Sequence, residues 1–259
     1  MSYHMKPSSV TPYLSGIQNQ LELYFFNIHK IHTSYLVSKT MRSCKHLCGS
    51  AVKCKSQLEA THMQLLVQTY GPSDLHDDCL FSVQVTFGFS TLNYLKELVW
   101  PDSKNLQSYQ TLPLCHSITW SNNTYTYTLP CTKTDQVFKG NCIVVQKNNT
   151  AINPFSPFLC YLSSCNTLFP DNPELWLCSN GSVPTCKWFL HHLHHHFPPH
   201  ISGQSICSRG TTALILAGVS NDTIQAAGRW SSDAFQAYIC KNAFLLQALV
   251  WGRPALQAI

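Results

Sequence analysis

The chain has 259 residues, 44% hydrophobic and 12% aromatic, with 17 basic against 12 acidic side chains and a formal charge of +5. This composition excludes a disordered chain and is long enough for one large domain or two unequal ones. No apolar run reaches the roughly 18 residues of a membrane span, and the mild positive balance favours polyanionic partners without choosing among them.

The N-terminus, MSYHMKPSSVTPY, lacks the apolar centre of a secretory leader, so an intracellular protein is expected. Val10, Leu14, Ile17, Leu21 and Phe25 recur at spacings of three and four, which predicts a helix opened by Ser8 and Ser9. A second helix is expected from Ser34 to Leu47, stopped by Gly49. The stretch GSAVKCKSQ, residues 49–57, lacks periodicity and reads as a linker. Two helices are too few for a self-sufficient domain. Residues 1–55 are therefore expected to be part of a larger helical unit or a clamp for a partner or DNA.

Beyond the linker, a short helix from Thr61 to Val67 should precede a long one from His76 to Leu95. The latter is apolar nearly all round, as a central core helix would be. After Trp100 to Asp102 the period falls to two: SITW, TYTYTLP and NCIVVQ predict a small antiparallel sheet whose hairpin carries Lys133 and Lys139. Helices follow from Asn153-Pro154 to Leu168, from Thr185 to Phe197, and over 203–217, 222–227, 233–240 and 243–251, with Gly218 and Gly228 at expected C-caps. The fold class is therefore mostly α with a small antiparallel sheet, α+β, and residues 56–259 form the main domain.

The 13 cysteines are odd in number and include no Cys-x-x-Cys, so neither a disulfide framework nor a zinc ribbon fits. Four glycosylation sequons, at Asn122, Asn148, Asn180 and Asn221, are read as chance. In HHLHHH, His191 pairs with His195 and His192 with His196 at metal-ligand spacing. Phe189 or Leu190, Leu193 and Phe197 would take the buried stripe, however, leaving the histidines solvated, and no third ligand accompanies them. Cys44, His46 and Cys48 are weaker still. No metal, cofactor or small-molecule substrate is expected, and no phosphate-binding glycine loop, serine-hydrolase elbow or His-Glu-x-x-His is present. Arginine stands only at 42, 209, 229 and 253, while histidine and cysteine number 13 each. Arginine codons become those two by single C-to-T changes on either strand.

One block is specific. ISGQSICSRGTTALILAGVSNDTIQAAGRWSSDAFQAYICKN resembles the final catalytic block of tyrosine recombinases, in particular those of eukaryotic mobile elements, with weaker likeness in KPSSVTPYLSGI. The resemblance implies that fold, preceded by a partial helical core-binding segment. It implies double-stranded DNA as partner, strand cleavage and rejoining through a 3′-phosphotyrosyl link, and a nuclear location. Protomers would exchange a C-terminal segment, KNAFLLQALVW, unless its apolar face packs in cis.

By the same resemblance Tyr238 matches the nucleophile, which alone would read as a packed helix residue. Trp230 matches the His/Trp position and Gln204 the His/Gln position. Lys133 is the hairpin acid, with Lys139 the alternative. Two arginines should clamp the phosphate, because bidentate guanidinium donors match its geometry. Cys207 and Tyr94 stand at those two positions. Arg209 occupies a Gly position two residues after Cys207, and Lys96 and Glu97 follow Tyr94. Arg209, Arg229 and Lys139 are taken as DNA-binding cations. The chain thus reads as a degenerate copy of a mobile-element recombinase.

Overall fold

A computed structural model describes residues 7–48, 58–132, 138–148, 150 and 152–230. It divides into two compact units, Met1–Cys54 and Lys55–Ile259. In the first, α1 (Pro7–Leu21), α2 (Ile28–His32) and α3 (Tyr35–Cys48) pack together. None of its described side chains is buried, and Leu23, Tyr24, Phe26, Tyr35 and Leu36 are exposed.

In the second unit, α4 (Ala60–Tyr70) starts at Glu59 rather than at Thr61, because the Glu59 amide donates to His62 Nδ1 and closes the first turn. Helix α5 (His76–Ser90) is the central pillar. Apolar residues on every side leave its stretch from Cys79 to Gly88 buried all round. The three-stranded sheet runs β1 (Thr119–Ser121), β2 (Thr124–Leu129) and β3 (Asn141–Gln146), antiparallel throughout. Tyr125 pairs with Val145 and Tyr127 with Ile143, so alternate residues of both strands face inward. Their rings meet Phe87 of α5, Phe158 of α7 (Phe155–Leu168) and Trp176 in one aromatic core.

Short α6 (Leu95–Leu98) follows a turn that ends α5 five residues sooner than its apolar run suggests. The cause is Leu92, buried and left-handed at φ 53, a conformation that a β-carbon disfavours and that no glycine marked in advance. Helix α8 (Cys186–His196) is capped by Thr185 Oγ1, which accepts from the Trp188 amide. Helix α9 (Gly203–Leu216) packs on α5 so closely that a β-carbon on Gly210 would come within 2.2 Å of Phe89 O. It ends in a Schellman turn at Gly218 (φ 86), with Val219 N donating to Leu214 O and Gly218 N to Ile215 O. Helix α10 (Asn221–Ala227) follows, capped by Ser220.

The histidine face of α8 is more engaged than a solvated face. His192 Nδ1 bonds Trp188 O and its ring stacks on Phe81, His194 Nε2 bonds Ile201 O, and His196 Nε2 meets the Tyr70 hydroxyl at 2.9 Å. Among the histidines of this helix only His191 and His195 are exposed.

Candidate nucleic-acid processing site

Three positions singled out by sequence converge in space. Cys207 from α9 and Trp230 after α10 are buried with Leu92, Ile215 and Ile224 in a small apolar cluster distinct from the main core, and Tyr94 packs against it. Each arrives for a local reason. Tyr94 is the N-cap of α6, its backbone extended and its amide donating to Glu97 Oε2 at 2.9 Å. Cys207 lies on the face of α9 turned to the α5–α6 turn, its Sγ 3.6 Å from Leu92 O. Trp230 lies over Gly228, where a β-carbon would be 2.7 Å from the indole. Gly228 is thus needed for room, since its own φ is an ordinary −78.

The left-handed residue at this helix end is Arg229, at φ 56. Arg229 N donates to Ala226 O and Trp230 N to Gln225 O, the paired bonds of a Schellman turn with arginine at the position glycine usually takes. Its guanidinium turns inward. Nη2 meets Glu97 Oε2 and Asn93 Oδ1, both at 2.9 Å, and Nη1 and Nη2 approach Thr91 O and Leu92 O at 3.3 and 3.4 Å. The two side chains of the ion pair are only 10% and 2% exposed. One guanidinium therefore neutralises a buried carboxylate and satisfies carbonyls at the C-terminal end of α5.

The network extends into the sheet. Asn93 Nδ2 donates to the Tyr127 hydroxyl at 2.6 Å, and Tyr127 is wholly buried on β2. Burial raises the pKa of that phenol, with Asn93 opposing, so it stays protonated. Burial also raises the pKa of Glu97, opposed chiefly by the charge of Arg229. The Cys207 thiol is pushed up to about 12, first by burial and then by the charge of Glu97. It is a neutral, packed group at neutral pH and offers a phosphate no positive charge.

The remaining candidates are placed as follows. Gln204 is exposed on α9, three residues before Cys207, so both project to one side of the helix. Arg209 is half-buried on a different face, its Nε sealed without a hydrogen-bond partner. Burial lowers its pKa, and the nearby charge of Glu59 acts the other way. Lys139 is exposed on the approach to β3, between the left-handed residues Phe138 and Gly140. Lys133, Tyr238 and the C-terminal helices expected over 233–240 and 243–251 lie outside the described residues. Sequence reasoning missed Asn93, Tyr127 and the inward role of Arg229. Arg229 and Glu97 are 132 residues apart, and no local pattern pairs them.

The chain is similar to two solved structures of the XerH site-specific recombinase, one bound to palindromic difH substrate in a post-cleavage complex and one bound to difH substrate in a pre-cleavage complex. The TM-scores are 0.53 and 0.50 at 12% and 11% identity, over 95% and 96% of this chain and 72% of each recombinase chain. No family model and no curated protein sequence matches the chain.

Proposed function

We propose, from a chain that has the tyrosine-recombinase fold, that this protein binds double-stranded DNA and descends from a strand-cleaving recombinase of a mobile element. Its own cleavage chemistry is strongly impaired. The observation that carries the impairment is Cys207, buried with a protonated thiol where the resemblance expects a phosphate-clamping arginine. The guanidinium close by, that of Arg229, is committed to Glu97. DNA as partner is supported by the fold and by the substrate-bound recombinase complexes it resembles. The compartment that goes with this reading is the nucleus, and the C-terminal segment KNAFLLQALVW would join protomers.

In the ancestral reaction the Tyr238 hydroxyl gives up its proton to solvent and its oxygen attacks the phosphorus of a phosphodiester. The bond to the 5′-oxygen breaks, that oxygen takes a proton from Lys133, and a 3′-phosphotyrosyl link remains. Negative charge grows on the non-bridging oxygens, and two guanidiniums would hold it. Loss of one such donor costs roughly 10² to 10³ in rate, and two losses in one site need not multiply. Trp230 would keep its packing role beside the phosphate, and Gln204 would supply a neutral donor.

The test is a nicked suicide duplex that traps the covalent link. The expected result is salt-sensitive DNA binding with an adduct at or below detection for the native chain. An adduct should rise in the Cys207→Arg, Tyr94→Arg double variant and vanish when Tyr238→Phe is added. Efficient adduct formation by the native chain refutes the impairment. A folded, DNA-binding double variant that still gives no adduct refutes the assignment of the two clamp positions.

A further inference from the structure

A second site lies on a different part of the same unit and shares no residue with the Cys207 cluster. Between the loop of residues 100–112 and that of residues 172–185 is a cleft of about 360 Å3. Trp100 and Tyr109 form one wall, edge to face at 82° with ring centres 5.1 Å apart. Tyr109 is 70% exposed, although it is a large aromatic packed against Trp100. The Trp100 indole nitrogen is sealed and makes no hydrogen bond, so the part of its side chain that reaches the cleft is ring carbon. Glu174 also lines the cleft and carries its one formal charge. Among the described residues no cation lies within ion-pair distance of Glu174, and its Oε2 is buried without a partner.

Backbone hydrogen bonds tie the two loops together at both ends. Trp100 N donates to Pro184 O and Cys186 N to Trp100 O, which ties the start of one loop to the end of the other. Leu175 N donates to Pro113 O and Cys115 N to Pro173 O, which ties their far ends. Gln107 Nε2 anchors the first loop on Pro101 O, and Gly181, left-handed at φ 79, closes a tight turn in the second. A cleft held this way loses little conformational freedom on binding.

We infer that this cleft binds an alkylammonium group, held against the Trp100 and Tyr109 rings and charge-matched by Glu174. Aromatic faces carry negative electrostatic potential and attract a weakly hydrated cation, and an unpaired carboxylate beside them adds a full opposite charge. Glu174 is the cleft's one charged acceptor, beside the neutral side-chain oxygens of Gln107, Asn172, Ser182 and Thr185, and the aromatic wall is what favours an N-methylated ammonium group. The same group occurs in a methylated lysine side chain of a partner protein and in free quaternary amines. The shared chemistry is what the cleft recognises.

The experiment is a ligand-observed NMR titration of the full chain with three probes: choline, an N-acetylated trimethyllysine amide, and 3,3-dimethylbutanol. The last has the shape of choline's head group with carbon in place of the charged nitrogen. Saturable binding of at least one cation is expected, with 3,3-dimethylbutanol at least about tenfold weaker. The cation bound more tightly tells a chain-borne lysine from a free amine. Tyr109→Ala and Glu174→Gln, checked for unchanged far-ultraviolet circular dichroism, should each weaken the cation by about five- to tenfold. Equal binding of the neutral probe, no effect of either variant, or no saturable signal at about 50 mM of either cation overturns the inference. None of these outcomes bears on DNA cleavage, so this site and the recombinase reading fail separately.

Discussion

Replacing Arg229 by glycine sets two physical effects against each other. The backbone at 229 is left-handed, and a β-carbon there costs about 1 kcal/mol that glycine would remove. Glycine also deletes the guanidinium from a carboxylate whose side chain is 2% exposed. Removing one partner of a buried pair costs about 3–5 kcal/mol, because the remaining charge has lost both water and its counter-ion. The pair should win, leaving Arg229→Gly less stable by about 2–4 kcal/mol at neutral pH. Urea unfolding of the wild type, Arg229→Gly, Glu97→Gln and the double variant measures this directly. The pH dependence has a definite sign. Burial holds the folded pKa of Glu97 above its ordinary value, so its contribution to stability is complete at low pH and is lost as pH rises through the folded pKa. Without Arg229 that pKa rises further, so the deficit of Arg229→Gly should shrink on acidification from pH 7 to about 5. An Arg229→Gly protein as stable as the wild type at pH 7 would sink the reasoning. So would a deficit that ignores pH, or one that persists undiminished in the Glu97→Gln background.

Other outcomes follow from the same site and its supports. Tyr127→Phe removes the acceptor of Asn93 Nδ2 in a buried setting and should cost about 1–3 kcal/mol in chemical unfolding. Gly210→Ala must displace the C-terminal end of α5, since its β-carbon would lie 2.2 Å from Phe89 O. A loss of at least about 2 kcal/mol is expected, and a neutral result would mean that α9 and α5 are less tightly apposed. Cys207, with its thiol pushed up to about 12 and its side chain buried, should resist iodoacetamide at pH 8 long after the exposed Cys142 and Cys48 are alkylated. Peptide mapping reads the order, and early modification of Cys207 would contradict its burial.

What was legible in the sequence was what local pattern encodes. Thr185 before a helical run gave the start of α8, and the β-formers of TYTYTL and NCIVVQ gave both long strands. Helix α2 was missed because five residues hold little more than one turn and show no period. The end of α5 was placed too late because Leu92 stops it in a left-handed turn, a role for which glycine is the usual sign. The histidines of α8 read as solvated because Phe189 or Leu190, Leu193 and Phe197 take the buried stripe. His192, His194 and His196 instead use one ring nitrogen each on a carbonyl or hydroxyl, as a side chain with an apolar body and a polar tip can. At the site, the convergence of Tyr94, Cys207 and Trp230 followed from resemblance. The Arg229–Glu97–Asn93–Tyr127 network did not, because its members come from segments that only the folded chain brings together.

The arginine that closes α10 also closes α5, and this changes how that part of the chain can move. Helix ends ordinarily fray first, and their amides exchange with solvent at almost no free-energy cost. Here the last turn of α10 cannot open without stripping Glu97 of its counter-ion and uncovering the carbonyls of Thr91 and Leu92. The amides of Arg229 and Trp230 should therefore exchange in step with the centre of α5, as one cooperative unit, rather than with the exposed first turn of α10. The stretch GRW is thereby a fixed post, pinned to α5 at the end of α10.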